Sequence, residues 1–295
     1  MWRGGTTGSI ILTENFFYFI VHSFSMSKPV RSYGWRKPKE KPKTVHKFAI
    51  SRSNTLIHKL DLSPLMPPVY DQGQLGSCTA NAIAGAYEYC ELKEKEKSEF
   101  TPSRLFIYYL ERSKEGDIGQ DNGAQISDGV AAVHTVGVCP ENATSVYSAS
   151  EVWPYDVTKF TEKPPQACYA IATKHRSVKY KSILQNISHI KQSIINGFPV
   201  IFGFQVYSSF EGEQIASDGI LHMPQPSEQC VGGHAIMCVG FDDNFVIDGK
   251  AGAVFIRNSW NSTWGLGGYF WMPYDYITSP DLADDFWSIF ETADQ

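Results

Sequence analysis

The sequence predicts an α+β fold in two halves, the first helical and the second built from antiparallel strands. Three observations predict it. Up to about residue 136, apolar residues recur at helical spacing, as in Ile83, Tyr87 and Cys90. Beyond about residue 178, short apolar runs bounded by Gly and Asp-Asn turns read as strands. The chemically distinctive residues divide between the halves. A cysteine stands at the start of the first long helix, and a histidine and an asparagine stand at strand positions far downstream. Such separation fits two lobes that meet at a cleft.

In chain order, residues 1–25 hold two apolar runs, Ser9–Leu12 and Phe16–Val21, interrupted by Glu14 and Asn15. Neither approaches the roughly 20 residues needed to span a bilayer, and the segment lacks the anatomy of a signal peptide. A disordered N-terminal extension is expected there. Residues 26–55 form a short basic segment. Lys28, Arg31, Arg36, Lys37, Lys39, Lys41, Lys43 and Lys47 face one acid, Glu40, and Pro38 and Pro42 exclude a continuous helix. Within it, Tyr33-Gly34-Trp35-Arg36 places two aromatic rings around a glycine, a shape able to plug an apolar cleft. The remaining domain is expected over 56–295, with a helical lobe at about 70–150 and a β lobe at about 151–280.

Prolines extend the chain from Leu60 to Tyr70. The glycine-rich run Asp71-Gln72-Gly73-Gln74-Leu75-Gly76-Ser77 then turns and delivers Cys78 to a helix whose first turn favours a thiolate over a thiol. Glu91–Glu99 reads as a solvated helix end. A second helix is expected with Thr101 as its N-cap and Pro102 as its first residue. Gly116–Gly129 reads as loop, Ser127–Val136 as a short helix and Glu141–Pro165 as the crossover between halves. Val178–Ile183 reads as a strand and Ile187–Asn196 as a helix ended by Gly197. Pro199–Val206, His234–Gly240, Gly252–Ile256 and Gly268–Met272 complete the strands.

Composition narrows the function. The chain has 295 residues, is 42% hydrophobic and 19% charged, and carries a net charge of −5. It is long enough for a sizeable core, and nothing in its overall charge argues for nucleic acid. None of the six cysteines forms a C-x-x-C pair, so no zinc site, metal or other cofactor is expected.

Three blocks carry a resemblance. Gln72 lies six residues before Cys78, His234-Ala235 follows, and Asn258-Ser259-Trp260 runs into Trp264-Gly265-Leu266-Gly267-Gly268-Tyr269. In this order they resemble the papain-like cysteine proteases, which include the cathepsins, from about Leu60 onward. The proline pair and Val69-Tyr70-Asp71-Gln72 are similar to the short-propeptide members found in bacteria and large DNA viruses. The resemblance implies a two-lobed fold, a helical left lobe and an antiparallel β-barrel-like right lobe with the active site between them. It implies a cysteine endopeptidase acting on protein or peptide substrates, made as a zymogen with residues 26–55 as its own inhibitor.

The resemblance also implies the roles. Cys78 would be the nucleophile, His234 its imidazolium partner, Asn258 the group that orients the imidazole, and Gln72 an oxyanion donor. Gly123 and Ala124 would form the wall that hydrogen-bonds substrate backbone, Ala235 would follow the histidine, and Trp260 would shield the His–Asn contact. The sequence departs from the family where Thr79 replaces an aromatic residue, where Ala124 replaces a glycine, and where Leu75 replaces a cysteine usual in secreted members. The last departure favours a reducing site, cytoplasmic or in a virion, over a lysosomal or secreted one. Taken singly, His234 could be a core histidine and Asn258 a turn residue; the joint pattern argues for the site. The alternative is a catalytically idle fold of this type used as a binding module.

Overall fold

The structure, a computed structural model, describes residues 31–38, 57–95, 98 and 100–294. The expectations for residues 1–25, and those for 26–30 and 39–55, lie outside the described residues.

Six strands are hydrogen-bonded in one antiparallel sheet of order β2-β7-β3-β4-β5-β6, and β1 adds to β4 off this path. In chain order these are β1 (Lys59–Asp61), β2 (His175–Ser182), β3 (Val200–Tyr207), β4 (Cys230–Ile247), β5 (Lys250–Arg257), β6 (Tyr269–Pro273) and β7 (Ala283–Asp294). The helices are α1 (Cys78–Lys95), α2 (Arg104–Glu115), α3 (Ile126–Thr135), α4 (Gln166–Ala172), α5 (Ile187–Ile195), α6 (Glu213–Asp218) and α7 (Tyr274–Thr278). The protein is therefore α+β, with helices leading and strands following. No helix among the described residues is long and apolar enough to cross a membrane.

Helix α1 is the hub. Every residue from Cys78 to Glu91 is buried, because α1 packs against β4 and β7 on one side and α2 and α3 on the other. An all-round buried helix needs small residues at its closest contacts; Ala80, Ala82, Ala84, Gly85 and Ala86 supply them. The sheet's contribution is a run of β-branched and aromatic residues on β3 and β4, with Val200, Ile201, Phe202 and Phe204 facing Cys238, Met237, Ile236 and His234 in register.

Two sequence expectations are corrected. The N-cap of α2 is Ser103, whose Oγ accepts from Phe106 N at 3.1 Å. Thr101 precedes it, and Pro102 is drawn into an extended bridge with Pro140 instead of opening the helix. Glu91 is not a solvated helix end. It is buried inside the last turns of α1, paired with Lys95. Strand β7 had no clear signal, yet it sits between β2 and β3 and completes the sheet.

A buried ion pair ties the helical half to the turn before α1. The Arg104 guanidinium donates to both oxygens of Glu141, at 2.8 and 2.7 Å. Its Nη1 donates to Asp71 O at 2.9 Å and to Asn81 Oδ1 at 3.1 Å. The cation lies 3.9 Å from the Tyr155 ring centre. Removing one member leaves an uncompensated buried charge. Arg104→Met should cost roughly 3–5 kcal/mol in urea unfolding, and Arg104→Met/Glu141→Leu should regain much of it.

Candidate active site

The turn of residues 71–78 is shaped by Gly73, which takes a φ of 62°, and by Asp71, whose Oδ1 accepts from Gly73 N at 2.9 Å. Gln72 follows, fully buried. Its N–H donates to Ser259 O at 2.9 Å, and Ser259 Oγ donates to its Oε1 at 2.7 Å. With the carbonyl end taken, Nε2 points the other way, donating to Leu75 O at 3.0 Å and to Ser32 O at 3.2 Å. Tyr155 Oη donates to Gln72 O at 2.9 Å.

Cys78 is the first residue of α1 and is wholly buried. Burial pushes its thiol up to about 12, against the pull of the Ala235, Gly34 and Thr79 backbone, while Glu111 adds to the rise. His234 lies on β4 opposite Phe204. Its Nε2 meets Asn258 Oδ1 at 2.8 Å, and the same oxygen accepts from Ser259 N at 2.8 Å. An oxygen that only accepts requires Nε2 to carry the hydrogen, which leaves Nδ1 as the basic nitrogen. Nδ1 has no hydrogen-bond partner among the described residues. Trp260 stacks on the imidazole, 5.1 Å between ring centres and 29° between planes. Burial lowers the His234 pKa to about 4; the Asn258 bond opposes this, and the Arg31 charge reinforces it.

His234, Asn258 and Trp260 therefore converge, Gln72 is tied to them through Ser259, and Cys78 meets the backbone of Ala235. Gly123 and Ala124 form the opposite wall, and a strand-like strap from this same chain occupies the space between. Ala124 N donates to Gly34 O at 2.7 Å, Arg36 N donates to Ala124 O at 2.9 Å, and Trp35 N donates to Gly233 O at 2.8 Å. Gly34 passes between Gly76 and Gly123. A Cβ on Gly34 would lie 1.6 Å from Gly76 O, and one on Gly123 would lie 1.9 Å from Gly34 O.

Trp35 fills a pocket beside this passage. A Cβ on Gly203 would lie 1.9 Å from its ring, and its Nε1 donates to Asp285 Oδ2 at 3.4 Å. The Tyr33 ring packs edge-on to His234 at 6.0 Å, and its hydroxyl donates to Glu211 at 2.8 Å. Arg31 lies 4.6 Å over Trp260. Arg36 pairs with Glu115 and, at 3.4 Å, with Asp117; Lys37 reaches Asp284 at 3.3 Å.

Sequence reasoning missed Ser259, Tyr155, Gly203, Gly233 and Asp285 as parts of this site. Ser259 and Gly233 sat within the recognised blocks. Asp285 lies on β7, where no pattern marked the strand. Chemically the site holds a thiol, an imidazole oriented through one nitrogen, and an amide donor aimed at a carbonyl oxygen, the parts required for acyl transfer.

Comparison with known proteins gives a consistent result. The family model described as papain family cysteine protease matches residues 60–285. An uncharacterized peptidase C1-like protein of Acanthamoeba polyphaga mimivirus is 45% identical over 232 residues, 76% of this chain and 70% of the relative. The viral cathepsin of Adoxophyes honmai nucleopolyhedrovirus is 27% identical over 205 residues, 70% of this chain and 53% of the relative. The crystal structure of xylellain, a cysteine protease from Xylella fastidiosa, superposes with a TM-score of 0.75 and 38% identity, covering 89% of this chain and 97% of that one.

The protonation of His234 can be checked. A buried imidazole with a depressed pKa contributes stability that is complete above its ordinary value of 6.5 and is lost as pH falls toward about 4. The wild-type melting temperature should drop across that window more steeply than that of His234→Gln.

Proposed function

Because this chain belongs to the papain family of cysteine proteases, and is a peptidase, we propose that Cys78 and His234 perform the cleavage and that the strap of residues 31–38 holds the enzyme in a latent form. The observation that carries the reading is that Cys78 is buried against the backbone of Ala235, the residue after His234, while His234 holds Asn258 and Gln72 Nε2 already has a peptide carbonyl against it.

In the open enzyme the His234 imidazolium stabilises the Cys78 thiolate, which attacks the peptide carbonyl carbon. The oxyanion is held by Gln72 Nε2. His234 protonates the leaving amine and then takes a proton from the water that hydrolyses the acyl-enzyme. Asn258 fixes the tautomer throughout. The sequence contains no adjacent histidine pair of the kind that caps the cleft in dipeptide-trimming cathepsins, which supports endopeptidase action.

The strap reading rests on chemistry as well as position. Burial under the strap favours the neutral thiol and neutral imidazole, the opposite of the active ion pair. Three cations of the strap, Arg31, Arg36 and Lys37, meet Asp71, Glu115, Asp117 and Asp284, so salt weakens its hold.

Substitutions and a pH profile test this. Cys78→Ser should abolish hydrolysis of a peptide substrate, and Gln72→Ala should lower kcat by about 10²–10³-fold. Gly34→Ala, whose added methyl cannot fit against Gly76 O, should release the strap and raise both activity and the rate of Cys78 alkylation by iodoacetamide. Equal rates for Gly34→Ala and wild type, with the N-terminus verified intact, would sink the latency reading. Once open, the enzyme should show a bell-shaped kcat/KM profile, because thiolate and imidazolium must coexist.

A further inference from the structure

Beneath the nucleophile, the position after Cys78 is Thr79 where the related proteases carry an aromatic ring. The Thr79 side chain meets a carboxyl group. Thr79 Oγ1 donates to Glu111 Oε2 at 2.8 Å. Glu111 is completely buried, and its other oxygen, Oε1, has no hydrogen-bond partner among the described residues. Gly129 makes the room: a Cβ there would lie 2.1 Å from Glu111 Oε1 and 2.3 Å from Ile83.

The surroundings do not neutralise a charge at this point. Arg112, the next residue along α2, spends its guanidinium on the carbonyls of Tyr108, Ile118, Gln120 and Phe160. From α3, Asp128 faces the group but is bound to Lys114 at 2.6 Å. From β7, the buried Asp285 contributes like charge. From α1, the facing groups are Thr79 and the Cys78 thiol itself.

We propose that Glu111 is a positioning residue of the active site: it rests as a neutral carboxylic acid hydrogen-bonded to Thr79, and loss of its proton opposes the Cys78 thiolate, so that its ionisation depletes the thiolate–imidazolium form before the imidazolium itself is lost and thereby sets the alkaline limit of activity. This rests on Cys78 being the nucleophile, as read above. A carboxylate with an unsatisfied oxygen is costly in an apolar interior, and burial accordingly drives the group well above the ordinary carboxyl range, with the Thr79 bond and Arg112 only partly opposing it. Ionisation would set a second negative charge beside a helix start whose dipole otherwise favours the thiolate. An aromatic ring at residue 79 could exert no such control, so the departure from the family and the proton-bearing group arrive together.

The experiment uses the full chain opened by Gly34→Ala. In that background Glu111→Gln keeps the shape and removes the titration. Its alkaline limb, read as kcat/KM, should move upward by about one pH unit, the size expected for a neighbouring like charge removed, and at the pH of the wild-type limb Cys78 should be alkylated faster. The acid limb should stay in place. A folding readout separates this from a mere packing defect. An acid with a raised folded pKa contributes stability that is complete below the unfolded value and is lost as pH rises through the folded one. Glu111→Gln should therefore flatten the fall of melting temperature with rising pH.

If Glu111→Gln fails to fold, Thr79→Val asks the same question. Without its donor the carboxylate is less favourable, and the alkaline limb should again rise, whereas Thr79→Ser should restore the wild-type position. Limbs that coincide in folded variants overturn the proposal. Peptide hydrolysis that survives Cys78→Ser in the Gly34→Ala background would instead overturn the nucleophile reading.

Discussion

The site depends on a short antiparallel seam between residues 70–72 and 259–261. Asn261 N donates to Tyr70 O, Gln72 N donates to Ser259 O, and Asp71 bridges Trp260. One side of this seam leads directly into Cys78 and the other leads directly out of Asn258. Cys78 comes from the start of a helix and His234 from the middle of a strand, and this seam, with the packing of α1 on β4, sets their separation. Ser259 shows how economical the arrangement is. Its carbonyl fixes the Gln72 backbone, its hydroxyl fixes the Gln72 amide, and its N–H shares the Asn258 oxygen that orients His234.

Desolvation is the second governing term. The same helix start and the same His–Asn contact would favour a thiolate–imidazolium pair in a wet cleft. Covered by Tyr33, Gly34 and Trp35, they favour two neutral groups, because neither charge has water nor a bonded counter-charge. On the latency proposed above, the covering segment would therefore act on protonation as much as on access. The tight approach at Gly76, Gly34 and Gly123 gives it this leverage, since water cannot share a gap that admits only backbone.

The residues proposed to carry the chemistry stand out in the sequence by their spacing and company: Gln72 before Cys78, His234 before a strand, Asn258 before two tryptophans. The strands β3 to β6 were legible because apolar runs ended at glycine and Asp-Asn turns. Other parts depend on tertiary context that no local pattern encodes. Ser103 outcompeted Thr101 as a cap because Pro102 pairs with Pro140 across 38 residues of chain. Glu91 entered the interior because α1 is surrounded on every side. Strand β7 is rich in acids near its start and offers no clean alternation, and with it Asp285 escaped notice. The Thr79 departure was visible as an anomaly, but its partner Glu111 lies on another helix and could only be found in three dimensions.

The strap touches both walls by main-chain hydrogen bonds, to Ala124 on one side and Gly233 on the other, with its aromatic side chains wedged between. It is thus a mechanical cross-tie as well as a plug. With it in place, the lobes are tied in front by the strap as well as behind the site, where the seam and the packing of α1 against β4 and β7 hold them. Without it, the front tie is gone and the attachment is one-sided. On the reading proposed above, opening the cleft would change the stiffness of the molecule as well as access to it, and the compliance needed to close upon a long peptide would come only once the cleft is free to receive one.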